Sequence, residues 1–287
     1  MMKNNSKNWL WEIIKSNSLT HEIDWLLAKS ALTEIEIMTA FVAAPRFLQK
    51  IEIPFSYPME LGQDIQIPWS FVRICRVWLL LELESASPEN FKKNIETLFD
   101  TAEMNELVAL YSALPFWMEP QHWLFRATDA VRSNMGLVFD AIALGNPFPA
   151  EHFSEAAWNQ LILKTIFNDK PIHLIAGFKE RKNEILAKTI SDFAHERWAA
   201  GRAVAPEVWR LTAAYIDESL LKDMEHLLRS TELDNQKAAA LACSESSFEA
   251  AKVLLNNYPD LKLQIQQGSV AWSDLEYNDL NTYVSQP

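Results

Sequence analysis

The sequence predicts an all-α protein, a right-handed α-α superhelix of stacked helical hairpins that becomes HEAT-like toward the C-terminus. Three observations predict it. Apolar residues recur at helical spacing along nearly the whole chain. Only 6 of the 287 residues are glycine, against a usual ~7%, and sheets and phosphate-binding loops consume glycine in tight turns. The C-terminal part contains short helical segments with small residues such as Ala238, Ala239 and Ala240 at their contacts, as in paired solenoid helices. The expected organisation is a single elongated α-helical domain over 1–287. It comprises N-terminal helices in 1–115, central helices in 121–211, HEAT-like hairpins in 212–268 and a polar tail in 269–287.

Helices are expected over Lys7–Lys15, Thr20–Leu32 and Thr33–Phe47. The third begins with Thr33 followed three residues later by Glu36, the spacing of a capping box. Residues Gln49–Pro68 break the pattern with three prolines and a glycine. Their alternation at Ile51, Ile53, Phe55 and Tyr57 is compatible with a short strand, but an irregular crossover is the expectation in a helical chain. Helix resumes at Trp69–Leu83 and, after Pro88, continues to Leu114. Pro115 and Pro120 mark a second break. One long helix is expected over Gln121–Leu144, stopped by Gly145-Asn146-Pro147. Further helices are expected over Phe153–Asn168, Lys182–Ala200, Pro206–Tyr215, Glu218–Arg229, Asn235–Cys243 and Ser247–Asn256.

The charge balance narrows the function. There are 26 basic and 38 acidic side chains, a net charge of −12. A nucleic-acid binder needs a basic face to displace phosphate counterions, and here the basic residues are scattered singly. Cys75 and Cys243 lie far apart in apolar helical context, which reads as two buried thiols rather than a disulfide framework. Residues Met1 to Trp9 lack the apolar core of a secretion signal, and runs such as Ile37–Ala44 are too short for a membrane span. A cytoplasmic protein with no direct membrane insertion is the expectation.

Several polar groups fall on apolar arcs. On a wheel of about 100° per residue, Leu124, Ala127, Val131, Met135, Val138 and Ile142 form one stripe of the long central helix. Arg126, Asp129, Ser133, Gly136 and Asp140 form the opposite one. The second half of that helix is apolar almost all round, with Asp140 its only charge, and a buried carboxylate needs a partner or a shifted pKa. Arg197 lies in the apolar arc of 182–200 with Glu196 near Thr189, and Asn159 lies between Leu163 and Ile166. The group reads either as a buried network joining helices, for instance Asp140 with Arg197, or as polar groups orienting a metabolite in a pocket.

Specific chemistries find little support. Glu119/His122, Asp192/His195 and Asp223/His226 have acid-x-x-His spacing. A helical di-iron site needs two Glu-x-x-His pairs and two further glutamates, so these read as solvated faces and no metal site is expected. There is no Asp-Asp pair, no Gly-x-Ser-x-Gly elbow and no glycine-rich phosphate loop, so no catalytic residue and no cofactor is assigned. Of the 11 tryptophans, Trp69, Trp78, Trp117, Trp123, Trp158, Trp198 and Trp209 read as core first, with a few available to line an aromatic ligand cavity.

Three stretches carry a resemblance: FRATDAVRSNMGLVFDAIALGNPFPAEHF at 125–153, AAWNQLILKTIFNDKPI at 156–172 and ISDFAHERWAAGRAVAPEVWRL at 190–211. They resemble the EboA family, encoded in bacterial gene clusters linked to metabolite traffic. The match is most specific over about a third of the chain. The resemblance implies a soluble helical protein acting beside other products of its cluster, including a membrane prenyltransferase and a TIM-barrel-like protein. Their shared role is moving a secondary-metabolite precursor toward the cell envelope. It carries over no catalytic residues. The family-like stretches contain Arg126, Asp129, Arg132, Asn134, Asp140, Asn159, His195, Arg197 and Trp198; together with Glu196 these form the expected ligand-binding or structural polar cluster.

The resulting expectation is a non-enzymatic accessory or carrier protein that binds a small lipophilic or aromatic metabolite, or cluster-encoded proteins. The rivals are a pure protein-interaction scaffold of helical repeats and an enzyme of unknown type using the central polar pocket.

Overall fold

In the computed structural model, residues 2–62 and 64–276 are described, and they are predominantly helical. Two compact units are distinguished. One holds the chain up to Trp158 plus the short return Leu174–Ala176; the other holds Asn159–His173 and the described residues from Gly177 onward.

The first unit opens with α1 (Met2–Asn17), α2 (Thr20–Ser30) and α3 (Glu34–Ala43). The capping box before α3 forms as its spacing predicts: Thr33 Oγ1 and the Thr33 backbone N–H both donate to Glu36 Oε2, at 2.8 and 3.2 Å. The irregular segment contains more order than a crossover. β1 (Glu52–Phe55) and β2 (Ile67–Ser70) pair antiparallel, with Ile53 opposite Trp69 and Phe55 opposite Ile67. Pro54 faces Pro68 across the ladder, which a two-stranded hairpin tolerates because its outer edges need no donor. The hairpin is held by aromatic packing instead. The Phe55 and Trp69 rings stack at 3.6 Å, and the edges of Trp9 and Tyr57 close on them.

Ser70 ends β2 and caps α4 (Phe71–Ala86), its hydroxyl accepting the Arg73 N–H at 3.2 Å. α4 is buried on nearly every side, from Ile74 and Cys75 through Leu79, Leu80 and Leu83. Each such side chain contributes roughly 1.5–3 kcal/mol through burial. Arg76 brings a charge into this core, paired with the buried Glu106 at 3.2 Å and donating to the Phe41 carbonyl at 2.9 Å. α5 (Phe91–Thr101) and α6 (Met104–Ala113) follow, and a 3-10 turn, Leu114–Phe116, leads to the second proline break.

The expected helix over 121–144 is two helices, α7 (Pro120–Arg132) and α8 (Gly136–Ala143). Ser133 leaves the helical region at ψ 140°, and its hydroxyl accepts the Met135 N–H at 3.1 Å. The apolar pattern runs through this break because Val131 and Val138, both buried, are two helical turns apart in sequence. The stop at 145–147 forms as expected. Gly145 takes φ +65°, and the buried Asn146 amide donates to the Ala141 and Tyr111 carbonyls at 2.9 and 3.1 Å. α10 (Glu155–Phe167) is the helix expected over 153–168, within two residues, and the short α9 (Phe148–His152) before it is an addition.

In the second unit α11 (Glu184–Ala199) ends at Gly201, φ +66°. Residues 206–215 form 3-10 turns rather than an α-helix. α12 (Glu218–Leu228), α13 (Leu233–Glu245) and α14 (Glu249–Asn256) match the expected hairpin helices within a few residues, and α15 (Pro259–Gln266) is an addition. The small residues Ala238, Ala239 and Ala240 are fully buried, and α13 packs against α12, α14 and α15. Of the polar tail expected over 269–287, residues 277–287 lie outside the described residues. Its beginning is anchored: Trp272 Nε1 donates to Glu245 at 2.5 Å and Glu276 pairs with Arg210 at 2.6 Å. Among the described residues no helix is long and apolar enough to cross a membrane.

Candidate functional site

Within the first unit, four short pieces of chain surround a cleft of about 640 Å³. Trp9 comes from α1, Met59 from the turn after β1, Phe116, Trp117 and Met118 from the segment after α6, and Glu151 from α9. Prolines fix two of these walls. Pro58 shapes the turn, and Pro115 starts the 3-10 turn that presents Phe116 and Trp117. Tyr57 ties the walls together by donating its hydroxyl to the Ser112 carbonyl at 2.9 Å. Glu119, directly after the cleft segment, adopts a left-handed backbone at φ +54°, a conformation that costs a non-glycine residue about 1–2 kcal/mol. Its carboxylate is held by Lys92 at 2.6 Å.

The lining is aromatic and thioether-rich. Trp117 packs on Trp123 at 4.9 Å and on the edge of Phe91, so it is a rigid wall. Met59 and Met118 are adaptable ones, and Met118 is 60% exposed. The Trp117 indole N–H is buried without an acceptor among the described residues, and a buried donor left unpaired costs about 1–3 kcal/mol. The polar rim is Ser6, Glu60 and Glu151. Partial burial raises the Glu151 carboxyl above its ordinary range and lowers the neighbouring His152 imidazole. Both shifts favour the neutral form of a pair 3.5 Å apart. The arrangement suits an apolar, largely aromatic molecule bearing a few hydrogen-bonding atoms.

The residues singled out by sequence fall into separate groups. In the first unit, Arg126 lies across the Phe99 ring and bonds Glu96 and Asp100, each at 2.5 Å. Asp129 and Arg132 form an exposed pair at 3.4 Å, a geometry worth little in water. Asn134 is exposed between α7 and α8. Asp140, half-buried on α8, acts on the Arg73 guanidinium. In the second unit, Asn159 exchanges two amide hydrogen bonds with Asn183, at 2.8 and 3.1 Å, and Asn183 also caps α11 by accepting the Leu186 N–H. Glu196 is exposed. Arg197 donates to the Ala203 carbonyl at 2.9 Å and covers the Phe193 ring. His195 and Trp198 do come together: Trp198 stacks between Trp209 at 5.7 Å and His226 at 4.3 Å, with His195 at 5.6 Å.

Asp223, expected on a solvated face, is 2% exposed. It accepts Ser191 at 2.5 Å and His195 Nε2 at 2.6 Å, thereby joining one acid-x-x-His spacing to the other. Among the described residues no three or more His, Cys, Asp or Glu side chains are placed to hold a metal ion. Of the cleft residues, Trp117 had only a weak sequence signal, as one of seven tryptophans that read as core first, a few of them available to line a cavity. Trp9, Met59, Met118 and Glu151 had none, since four distant segments must fold before they share a wall.

Comparison with known proteins bears on the same residues. The family model described as metabolite traffic protein EboA matches residues 2–213, a span that contains the whole cleft. No curated protein and no solved structure matches the chain.

Proposed function

The chain belongs to the EboA family of metabolite traffic proteins, and from that premise we propose that it is a non-enzymatic carrier whose cleft in the first unit holds a small lipophilic or aromatic metabolite. The observation that carries the reading is a cleft of about 640 Å³ walled by Trp9, Phe116, Trp117, Met59 and Met118. That volume lies within the ~300–1,000 Å³ of small-molecule sites. Rigid indoles supply area and thioethers adjust to shape. The Glu151 carboxyl on the lining, whose charged form partial burial already disfavours, favours a ligand without net negative charge.

In this reading the central polar residues do not line the cleft: Arg126, Asn159 and His195 bond across elements, while Asp129, Arg132, Asn134 and Glu196 lie at the surface. The hairpins of 212–268 are read as a HEAT-like superhelical stack. They offer a surface to proteins of the same bacterial gene cluster, a membrane prenyltransferase among them, from the cytoplasmic side. The experiment is a fluorescence titration with the neutral probe N-phenyl-1-naphthylamine. It should bind one per chain, quench tryptophan emission, be released by the physiological metabolite and undergo no turnover. Met118→Glu, at an exposed position, should weaken it about tenfold by placing a charge on the apolar wall. Equal affinity in both proteins would remove the cleft from the account.

A pure interaction scaffold is the second reading. It is favoured by three exposed apolar side chains in or beside α2 and α3, Leu19, Leu27 and Ile35, which a partner protein could cover. It predicts co-purifying proteins with no probe bound in the cleft.

A further inference from the structure

A second cavity in the first unit has the opposite character. About 290 Å³ in volume, it is lined by Lys50, Glu52, Ser70, Arg73, Arg76 and Asn105 among others. Three cations and one carboxylate thus face one small space in a chain whose net charge is −12. Ser70 is the N-cap of α4, and Ser70 and Val72 both line the space, so the positive end of a 16-residue helix lies there as well.

The three cations are not equally satisfied. Arg76 is held by Glu106 and the Phe41 carbonyl. Arg73 is fixed in place, its guanidinium 3.8 Å over the Trp69 ring and its Nε donating to Ser112 at 2.7 Å. Its nearby negative charges, Glu52 and Asp140, do not offset its burial, which brings its pKa down to about 10; it remains charged at neutral pH. Lys50 is exposed and forms no ion pair among the described residues. The result is two guanidinium forks held rigid beside an ammonium on a flexible stem, the donor set that matches the oxygens of a phosphate.

We propose that the cavity between β1, the start of α4 and the start of α6 is an anion site for a phosphate or diphosphate group, borne by a soluble ester or by a lipid headgroup, with Lys50 and Arg73 as its main ligands. The site does not depend on the apolar cleft, which lies on other residues. Inorganic pyrophosphate is the first probe, added to the full chain at low ionic strength and followed by calorimetry. Phosphatidylcholine vesicles containing phosphatidate, followed by flotation, are the second. Pyrophosphate should bind one per chain, with sulfate weaker and with affinity falling as salt is added. Lys50→Glu, at an exposed position that leaves folding intact, should weaken binding about tenfold, the equivalent of one charge-assisted contact. Arg73→Gln should abolish it.

Lys50-dependent binding to phosphatidate vesicles without pyrophosphate binding would assign the site to a lipid headgroup. Pyrophosphate binding alone would assign it to a soluble phosphate ester. Binding to neither probe, or binding unaffected by Lys50→Glu, would overturn the proposal. Loss of N-phenyl-1-naphthylamine binding in the Met118→Glu protein bears only on the cleft.

Discussion

His195 Nε2 and Asp223 Oδ1 meet at 2.6 Å between α11 and α12, one partner 54% exposed and the other 3% exposed by side chain. Asp223 also takes the Ser191 hydroxyl, so a buried carboxylate depends on two donors from the neighbouring helix. Removing the carboxylate strands Ser191; removing the imidazole leaves Asp223 with Ser191 and solvent at the rim. Asp223→Ala should therefore destabilise the protein by about 2–4 kcal/mol, and His195→Ala by less than about 1 kcal/mol. Urea unfolding of both variants measures this. Equal costs would mean that the exposed imidazole, not the buried acid, holds α11 to α12.

Gly145 should be intolerant of a side chain for two reasons that can be separated. Its φ is +65°, and a Cβ there would lie 2.8 Å from Ile67 Cδ1; Gly201 has φ +66° with open space around it. Gly201→Ala should cost only the left-handed backbone, about 1–2 kcal/mol. Gly145→Ala also forces the end of the Ile67 side chain to shift and should cost somewhat more. Thermal unfolding of the pair checks the order, and a Gly145→Ala no worse than Gly201→Ala would show that the Ile67 side chain gives way freely.

Glu151 makes the cleft pH-dependent. Burial holds its carboxyl above the ordinary range, so the folded chain binds a proton there that the unfolded chain has already released. The destabilising cost is absent below the unfolded value and grows as pH rises toward and through the raised folded value. Glu151→Gln should therefore gain stability relative to the unsubstituted protein as pH rises from about 4 to 7. Binding of a neutral probe that covers the carboxyl should tighten on acidification in the unsubstituted protein alone. Parallel pH profiles for the two proteins would place Glu151 outside the cleft's chemistry.

The helical class was legible because periodicity and capping are local. Thr33 and Glu36 form their box from four residues, and Gly145-Asn146-Pro147 stops α8 as its composition requires. The break at Ser133 was not legible, since Val131 and Val138 keep the apolar stripe in step across it. The polar outliers pointed to real interactions but not to their partners: Asn159 finds Asn183, and Arg197 satisfies itself on the Ala203 carbonyl near its own helix end. Asp223 looked solvated because its helix is charged, and only the position of α11 shows it to be enclosed. The cleft was least legible, because Trp9, Met59, Trp117 and Glu151 share no spacing and meet only through the β1–β2 hairpin and the turn at Pro115.

Photolabelling separates retention of an apolar ligand in the cleft from its adsorption to apolar surface elsewhere. A neutral alkyl diazirine is irradiated with the full chain and its adducts are located by peptide mass spectrometry. The account predicts adducts concentrated on Trp9, Met59, Trp117 and Met118, and their suppression by excess N-phenyl-1-naphthylamine. Label spread over Ile35, Phe125 and Leu233, which are 70%, 70% and 67% exposed, with no suppression at the cleft, would contradict it.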